Sequence, residues 1–387
     1  MCFGVASLFF CKYFAFAKAR PLVWHIGGIM LDFVSTWPVA AQIAAYVVGL
    51  GLGVFCLVKF CNYFVDASST IAQKLKISPL IIGLTIVAMG TSLPELAVSA
   101  SDSISVLVSA EGARANVAIG NVIGSNICNL LLVLGTSVLF TPIVVKKSVS
   151  KREFPILLSV SALMVLFVFL FGDTAIGSVV FTRLECVVFV VGIVAYLAYL
   201  VVSAKKDPVS VEVEMNEIAD MSWPKAIFLV IIGAAGTILG GVLVVFGAKG
   251  LSLQGAQAAG LNHDLAETLV GLTVVAVGTS LPELVTSCIA AKKGQNEIAL
   301  GNVIGSNIFN SLFVLGIAGV INPLSGGSEV LVDVVVMFAI TLLVFLFSLN
   351  GKFERKEGIV LLGCYVVYVV YLVLRTLHPE WFGMGAV

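Results

Sequence analysis

"GTSLPEL" occupies residues 90–96, and the same seven letters return at residues 278–284. Both copies lie in stretches apolar enough to cross a membrane, and each carries a glutamate, a proline and two hydroxyl side chains into them. The identity continues outward. "GTSLPELAVS" at 90–99 matches "GTSLPELVTS" at 278–287 with an offset of 188, and "GNVIGSNICN" at 120–129 matches "GNVIGSNIFN" at 301–310 with an offset of 181. The chain is therefore built as two related halves.

Of its 387 residues 59% are apolar and 11% charged, with a mean hydropathy of +1.10; soluble domains run at about 45–50% and about 25%. Apolar runs of the ~20 residues that span hydrocarbon recur along almost the whole chain. They are continuous and do not alternate with period two, which argues for helices over a barrel. The sequence thus predicts an all-α membrane protein. Breaks at charges, Pro and Gly mark ten transmembrane helices near 39–65, 79–104, 117–141, 153–172, 179–203, 224–250, 267–292, 298–322, 329–349 and 356–376. Five spans per half is an odd number, so the second half enters the membrane the other way up. Two inverted five-helix repeats are an architecture of secondary transporters, with the site near the midplane between them.

The expected organisation is an N-terminal leader over 1–38, a first repeat over 39–203, a linker over 204–223, a second repeat over 224–376 and a C-terminal tail over 377–387. The leader's status is open, since Met30 is an alternative start and Lys12 interrupts its apolar run. Placing the loop after the first span in the cytoplasm puts fourteen Lys and Arg in inner loops and four on the outer side. That is the positive-inside bias. It makes the linker cytoplasmic and points both termini outward, although Lys12, Lys18 and Arg20 run against an outward N-terminus. The expected location is the cytoplasmic (inner) membrane, with the lipid bilayer as partner. Zero net charge gives no nucleic-acid footprint. Eight cysteines without a CxxC read as buried thiols, and three isolated histidines carry no assigned chemistry.

Pro94 has no N–H for the carbonyl of Gly90, and Pro282 does the same to Gly278, so the helix should break or kink in both copies. Freed carbonyls in hydrocarbon are tolerated only where they line a polar cavity or are buried in protein. Carbonyls, hydroxyls and a carboxylate gathered in one turn suit a hard cation. Thr91, Glu95 and Ser99 sit at i, i+4 and i+8 on one face, and Thr279, Glu283 and Ser287 repeat the pattern. Ser125 and Asn129 are again four apart, as are Ser306 and Asn310. Gly120, Gly124, Gly301 and Gly305 form small-xxx-small faces for close helix packing. An intramembrane glutamate can instead be a structural tether, but inserting one costs about 2.5–3.5 kcal/mol. Two at symmetric places beside broken helices favour an ion site. Asp66, Asp102, Glu185 and Asp333 lie near span ends or lack a repeat partner and read as interfacial or structural. The acids of the linker read as a solvated loop.

The "GTSLPE" and "GSNIxN" blocks in an inverted repeat resemble the alpha-repeats of the cation/calcium antiporter superfamily, specifically the prokaryotic sodium/calcium exchangers, over about residues 39–376. The resemblance implies ten helices, a diamond of cation sites formed by spans two, three, seven and eight, and alternating access by sliding of the first helix of each half. Carried over by position, it implies Glu95 and Glu283 as central calcium ligands. It implies hydroxyl or carbonyl contacts from Thr91, Ser92, Thr279 and Ser280, and backbone carbonyls from Ala88 and Ala276. Ser125 and Ser306 would be outer sodium ligands, with Asn129 and Asn310 completing the middle. Some relatives have aspartate at the Asn310 position, notably the potassium-dependent ones; asparagine here argues against potassium dependence and leaves two titratable carboxylates.

The implied substrates are Ca²⁺ and Na⁺, with no cofactor and no enzymatic activity. Two carboxylates neutralise one Ca²⁺, while three Na⁺ would leave one net positive charge, and unbalanced buried charge is costly. Mutual exclusion of the ions is the condition for antiport, and a 3:1 exchange is electrogenic. Exchange of protons for Ca²⁺, or transport of another divalent cation, stays open on the residues alone. A more remote alternative is an intramembrane hydrolase using a serine with glutamate as base, but no His or Lys lies near Ser92 or Ser280 to activate the hydroxyl.

Overall fold

Hydrocarbon offers the backbone no partner but itself, so a chain this apolar satisfies its N–H and C=O groups within helices. A computed structural model describes residues 30–108, 117–171, 179–206, 221–258, 276–378 and 381, and these are almost entirely helical. The first half holds α1 (Val39–Leu75), α2 (Pro79–Thr91), α3 (Leu93–Val108), α4 (Val117–Phe140), α5 (Val149–Leu170) and α6 (Arg183–Lys206). The second holds α7 (Trp223–Ala258), α8 (Ala276–Thr279), α9 (Leu281–Lys292), α10 (Asn296–Ile321), α11 (Ser328–Ser348) and α12 (Arg355–Leu377). Among the described residues 8 helices are long and apolar enough to cross a membrane, and α2 with α3, bent by 48°, makes a ninth span. The expected seventh span, 267–292, is described only from Ala276 onward, as α8 and α9.

α1 and α7 run beyond the ends that their apolar runs suggest. At 37 and 36 residues each is roughly 55 Å long, against a hydrocarbon core of about 30 Å. Packing carries α1 on: Ala67 through Ala72 are all buried, although Asp66 ends the apolar run. The two helices lie against each other, and small residues let their backbones approach closely. A Cβ on Gly53 would stand 2.6 Å from the Val244 nitrogen, and one on Gly240 would stand 2.7 Å from the Leu57 nitrogen. From Met30 the leader is helical, and its Val34 packs with Tyr46 and Phe246.

The repeat governs the remaining contacts. α12 packs on the C-terminal half of α4 as α6 does on that of α10, and α9 meets α4 as α3 meets α10. Two short antiparallel pairings tie the loops: β1 (Ile143–Val144) with β4 (Lys352–Phe353), and β2 (Val179–Phe181) with β3 (Leu324–Gly326). β1 and the start of β3 are equivalent by the repeat offset of 181. The span count puts the loops of one pairing on one side of the membrane and those of the other on the opposite side. That is what a half inserted the other way up requires.

The acids read as structural have structural partners. Asp66 pairs with Lys293 at 2.6 Å and Asp333 with Arg375 at 3.0 Å. Asp102 accepts from the Ala118 N–H at 3.2 Å, and Glu185 accepts from the Thr182 N–H. Cys61, Cys128 and Cys186 are buried free thiols.

The small-residue faces behave differently in the two halves. A Cβ on Gly301 would stand 2.8 Å from the Leu80 carbonyl and 3.0 Å from the Gly83 Cα, and one on Gly305 would stand 2.8 Å from the Leu84 Cα. α10 thus presses backbone to backbone on α2. No described residue comes within 4 Å of a Cβ on Gly120 or Gly124, and the segment that the repeat sets opposite them, around 268–275, lies outside the described residues. Gly301→Leu should cost about 1–3 kcal/mol by overpacking, read as a lower Tm of the detergent-solubilised protein. Gly363→Leu, with nothing described within 4 Å, should stay within about 0.5 kcal/mol of wild type.

Candidate cation site

Each proline unwinds the chain at the same place. Ser92 separates α2 from α3 with φ −87° and ψ 7°, and Ser280 separates α8 from α9 with φ −88° and ψ 4°. These are bridge-region conformations, two residues before Pro94 and Pro282, where the missing N–H and the ring's bulk tell. The break corrects one expectation. Thr91 and Glu95 do not share a face of one helix: Thr91 ends α2 and Glu95 lies in the first turn of α3. The bend still leaves both buried at the same level.

Glu95 and Glu283 are completely buried, as are Ala88, Asn129, Ser306 and Asn310. Thr91, Ser92, Ser125, Thr279 and Ser280 are at most 9% exposed. Ala276 begins α8. Ser125 Oγ donates to Glu95 Oε1 at 3.4 Å, and Ser92 Oγ donates to Glu283 Oε1 at 3.1 Å, so the Glu283 carboxylate is held from the opposite repeat. Thr91 Oγ1 stands 3.4 Å from Ser306 Oγ, again across the repeats. The Ala88 carbonyl accepts from the Ser92 N–H at 3.0 Å and lies 3.2 Å from Thr91 Oγ1, whose one hydrogen it shares as an alternative acceptor with Asn302 Oδ1.

Among the described residues nothing hydrogen-bonds Glu95 Oε2, Glu283 Oε2 or either polar atom of Asn129 and of Asn310, all of them buried. Leaving such a group unsatisfied costs about 1–3 kcal/mol, more when it is charged. Four oxygens of this kind come in repeat-related pairs, and two of them are carboxylate oxygens.

Two features of the site escape a reading of the sequence. Asn129 opens a π-helical turn over Asn129–Val133, and Asn310 opens the equivalent turn over Asn310–Val314. A π-turn inserts a residue and rotates the helical turns before it relative to those after it, and such bulges gather at functional sites. Hydropathy carries no trace of it. The second feature is Asn121 and Asn302, whose amides grip the glutamate turns: Asn121 Nδ2 donates to Ser99 Oγ at 3.0 Å, and Asn302 Nδ2 donates to Ser287 Oγ at 2.9 Å. Their repetition inside "GNVIGSN", four residues before Ser125 and Ser306, was the available signal. Among the described residues no cluster of three or more His, Cys, Asp and Glu forms a metal site. The arrangement offers two carboxylates and neutral oxygens, a donor set for hard cations.

Comparison with known proteins bears on the same residues. The family described as sodium/calcium exchanger protein matches residues 45–204 and 232–374, both halves of the chain. The putative antiporter CaxA of Alkalimonas amylolytica is 38% identical over 331 residues, covering 82% of this chain and 95% of the relative. The sodium/calcium exchanger MaX1 of Methanosarcina acetivorans is 35% identical, covering 83% of this chain and 96% of its own. Among solved structures, the sodium-calcium exchanger NCX_Mj soaked with Na⁺ and Sr²⁺ superposes with a TM-score of 0.67 at 33% identity, over 85% of this chain and 98% of its own. Both broken helices and both asparagine π-turns lie within the matched segments, and the chain belongs to the sodium/calcium exchanger family.

Proposed function

We propose that the protein exchanges Na⁺ for Ca²⁺ across the membrane by alternating access, with both ions competing for the site between the two broken helices. The family is one of secondary transporters, so the Ser92–Glu283 contact is read as an ion-site contact rather than a nucleophile with its base. The observation that carries the reading is the set of buried oxygens without donors, Glu95 Oε2, Glu283 Oε2, Asn129 Oδ1 and Asn310 Oδ1. A cation supplies the missing partner for all four. Glu95 and Glu283 are the central Ca²⁺ ligands in this reading. Thr91, Ser92, Thr279, Ser280, Ser125 and Ser306 turn their hydroxyl oxygens to the ions as the hydrogens leave the carboxylates. Ala88 and Ala276 contribute main-chain carbonyls.

Two carboxylates balance one Ca²⁺, and three Na⁺ carry one charge more. Exchange at that ratio moves net charge. The loop charges favour the cytoplasmic membrane, with the linker over 204–223 inside. The two repeats, 39–203 and 224–376, are the moving units, and α1 and α7, the first helices of the two halves, are the sliding pair in this reading.

Proteoliposomes loaded with Na⁺ and diluted into Na⁺-free buffer should take up ⁴⁵Ca²⁺. Uptake driven by a pH gradient alone, without Na⁺, would instead identify protons as the coupling ion. Glu95→Gln and Glu283→Gln each leave Ca²⁺ one charge short in a dry site, and each should lower flux at least about a hundredfold while the protein still inserts. Near-normal uptake in either variant removes that residue from the ion's coordination.

Asn310→Asp adds a third carboxylate beside two others. Crowded like charges raise one another's affinity for protons, so the variant should lose flux several-fold more than wild type between about pH 8 and pH 6. Superimposable pH profiles would mean that Asn310 does not face the ions. For the orientation, cysteines introduced near Lys147 and near Lys205 in a cysteine-free background should be shielded from an impermeant thiol reagent outside intact cells, while one near Lys249 reacts; the opposite pattern inverts the topology.

A further inference from the structure

The carboxylate of each glutamate can point at an ion only if the first turn after the break is held in one rotation. The proline that makes the break also removes part of the hydrogen bonding that would hold it. Asn121, from α4, reaches this turn. Its Nδ2 donates to the Glu95 main-chain carbonyl at 3.2 Å and to Ser99 Oγ at 3.0 Å. Asn302, from α10, does the same in the second half, donating to the Glu283 carbonyl at 3.4 Å and to Ser287 Oγ at 2.9 Å. Two polar hydrogens on one amide nitrogen thus bracket one helical turn from the glutamate to the serine four residues on. Glu95 and Ser99 map onto Glu283 and Ser287 by the offset of 188, and Asn121 maps onto Asn302 by the offset of 181. The grip is therefore built twice, in segments of different spacing.

The amide oxygen does something further. Asn302 Oδ1 accepts from Thr91 Oγ1 at 3.1 Å. Thr91 ends α2 of the opposite repeat, on the side where Gly301 and Gly305 press against Leu80 and Leu84. Asn302 is fully buried there, while Asn121 remains partly exposed. One asparagine therefore joins the glutamate turn of its own repeat to the half-helix of the other.

We propose that Asn121 and Asn302 are positioning residues of the ion site, holding the Glu95 and Glu283 turns through their amide N–H groups, and that the amide oxygen of Asn302 takes the Thr91 hydroxyl and so links its own glutamate turn to the half-helix of the other repeat. Neither asparagine amide hydrogen-bonds a carboxylate. Both act through the backbone, which separates them from the ligand set. This inference rests on the Na⁺/Ca²⁺ reading of the site.

The test is Na⁺-driven Ca²⁺ flux in proteoliposomes for wild type, Asn121→Ala, Asn302→Ala, Asn121→Asp and Asn302→Asp. Each alanine variant should raise the apparent KM for Ca²⁺ about tenfold, the upper range for one hydrogen bond, with the maximal rate much less affected. The aspartates are isosteric and keep the oxygen but lose the N–H donors. An added negative charge would by itself draw cations toward the site, so a raised KM in the aspartate variants is opposite to what charge alone produces. It identifies the lost N–H grip as the cause.

A merely structural role lowers Tm and yield and leaves KM where it was. Unchanged KM in all four variants, in a background where wild type transports, overturns the proposal. Where the alanine variants do not fold, the aspartates decide in the same way. Wild-type protein without Na⁺-driven uptake overturns the functional reading itself, and the two failures are therefore distinct.

Discussion

An oxygen removed from water needs a hydrogen-bond donor or a cation, and in this protein the two prolines at Pro94 and Pro282 create that need twice at the membrane's centre. The rest of the architecture answers it. Because the broken turns cannot face lipid, they must be enclosed by helices. α4 and α10 are those helices: 72% and 78% of their apolar windows are buried, against 22–39% in the other unbroken spans. The enclosing helices carry the polar letters of the repeat, Ser125, Asn129, Ser306 and Asn310. The outer ones, α5, α6, α11 and α12, are rich in Val, Leu and aromatic residues, and many of these side chains are exposed on the outer surface of the assembly. Polarity inside and apolarity outside are consequences of the break, not the reverse.

The parts of this arrangement that depend on residue type alone were legible in the letters. Proline's missing N–H locates the break within two residues, the repeat offsets pair the halves, and odd span parity inverts one of them. What depends on backbone geometry was not. A π-turn at Asn129 needs one inserted residue's worth of rotation, and no side-chain pattern encodes it. The i, i+4, i+8 spacing of Thr91, Glu95 and Ser99 assumes the continuous helix that Pro94 abolishes. The ends of α1 and α7 were misplaced because apolarity marks where lipid stops, whereas a helix stops where its packing does. Asn121 and Asn302 were visible only as repeated letters. Their meaning comes from a neighbouring helix that sequence spacing alone does not bring near.

Identical letters in the two halves do not make identical contacts. Ser92 reaches across to Glu283, whereas Glu95 is met by Ser125 of its own half. Thr91 reaches Asn302 and Ser306 of the other half. A transporter whose repeats sat in one symmetric arrangement would expose its site equally to both sides. In the proposed exchanger, such a mismatch of contacts between equivalent residues is what access from a single side would require.

If the protein alternates between two states as proposed, the candidate site offers the same residues from both halves, so exchanging their contacts would change little in free energy. A bias has to come from positions where the repeats differ. Ser78, Glu297 and Lys146 are one such set: Glu297 accepts from Ser78 Oγ at 2.6 Å, caps the Leu80 N–H at 3.3 Å and pairs with Lys146, fastening the start of α2 to the start of α10. The repeat offsets carry these three positions to Ala266, Asn116 and Gly327, none of which can bear a charge. The chemistry of the centre is thus shared between the halves, while the chemistry that holds one end together is written into one half only.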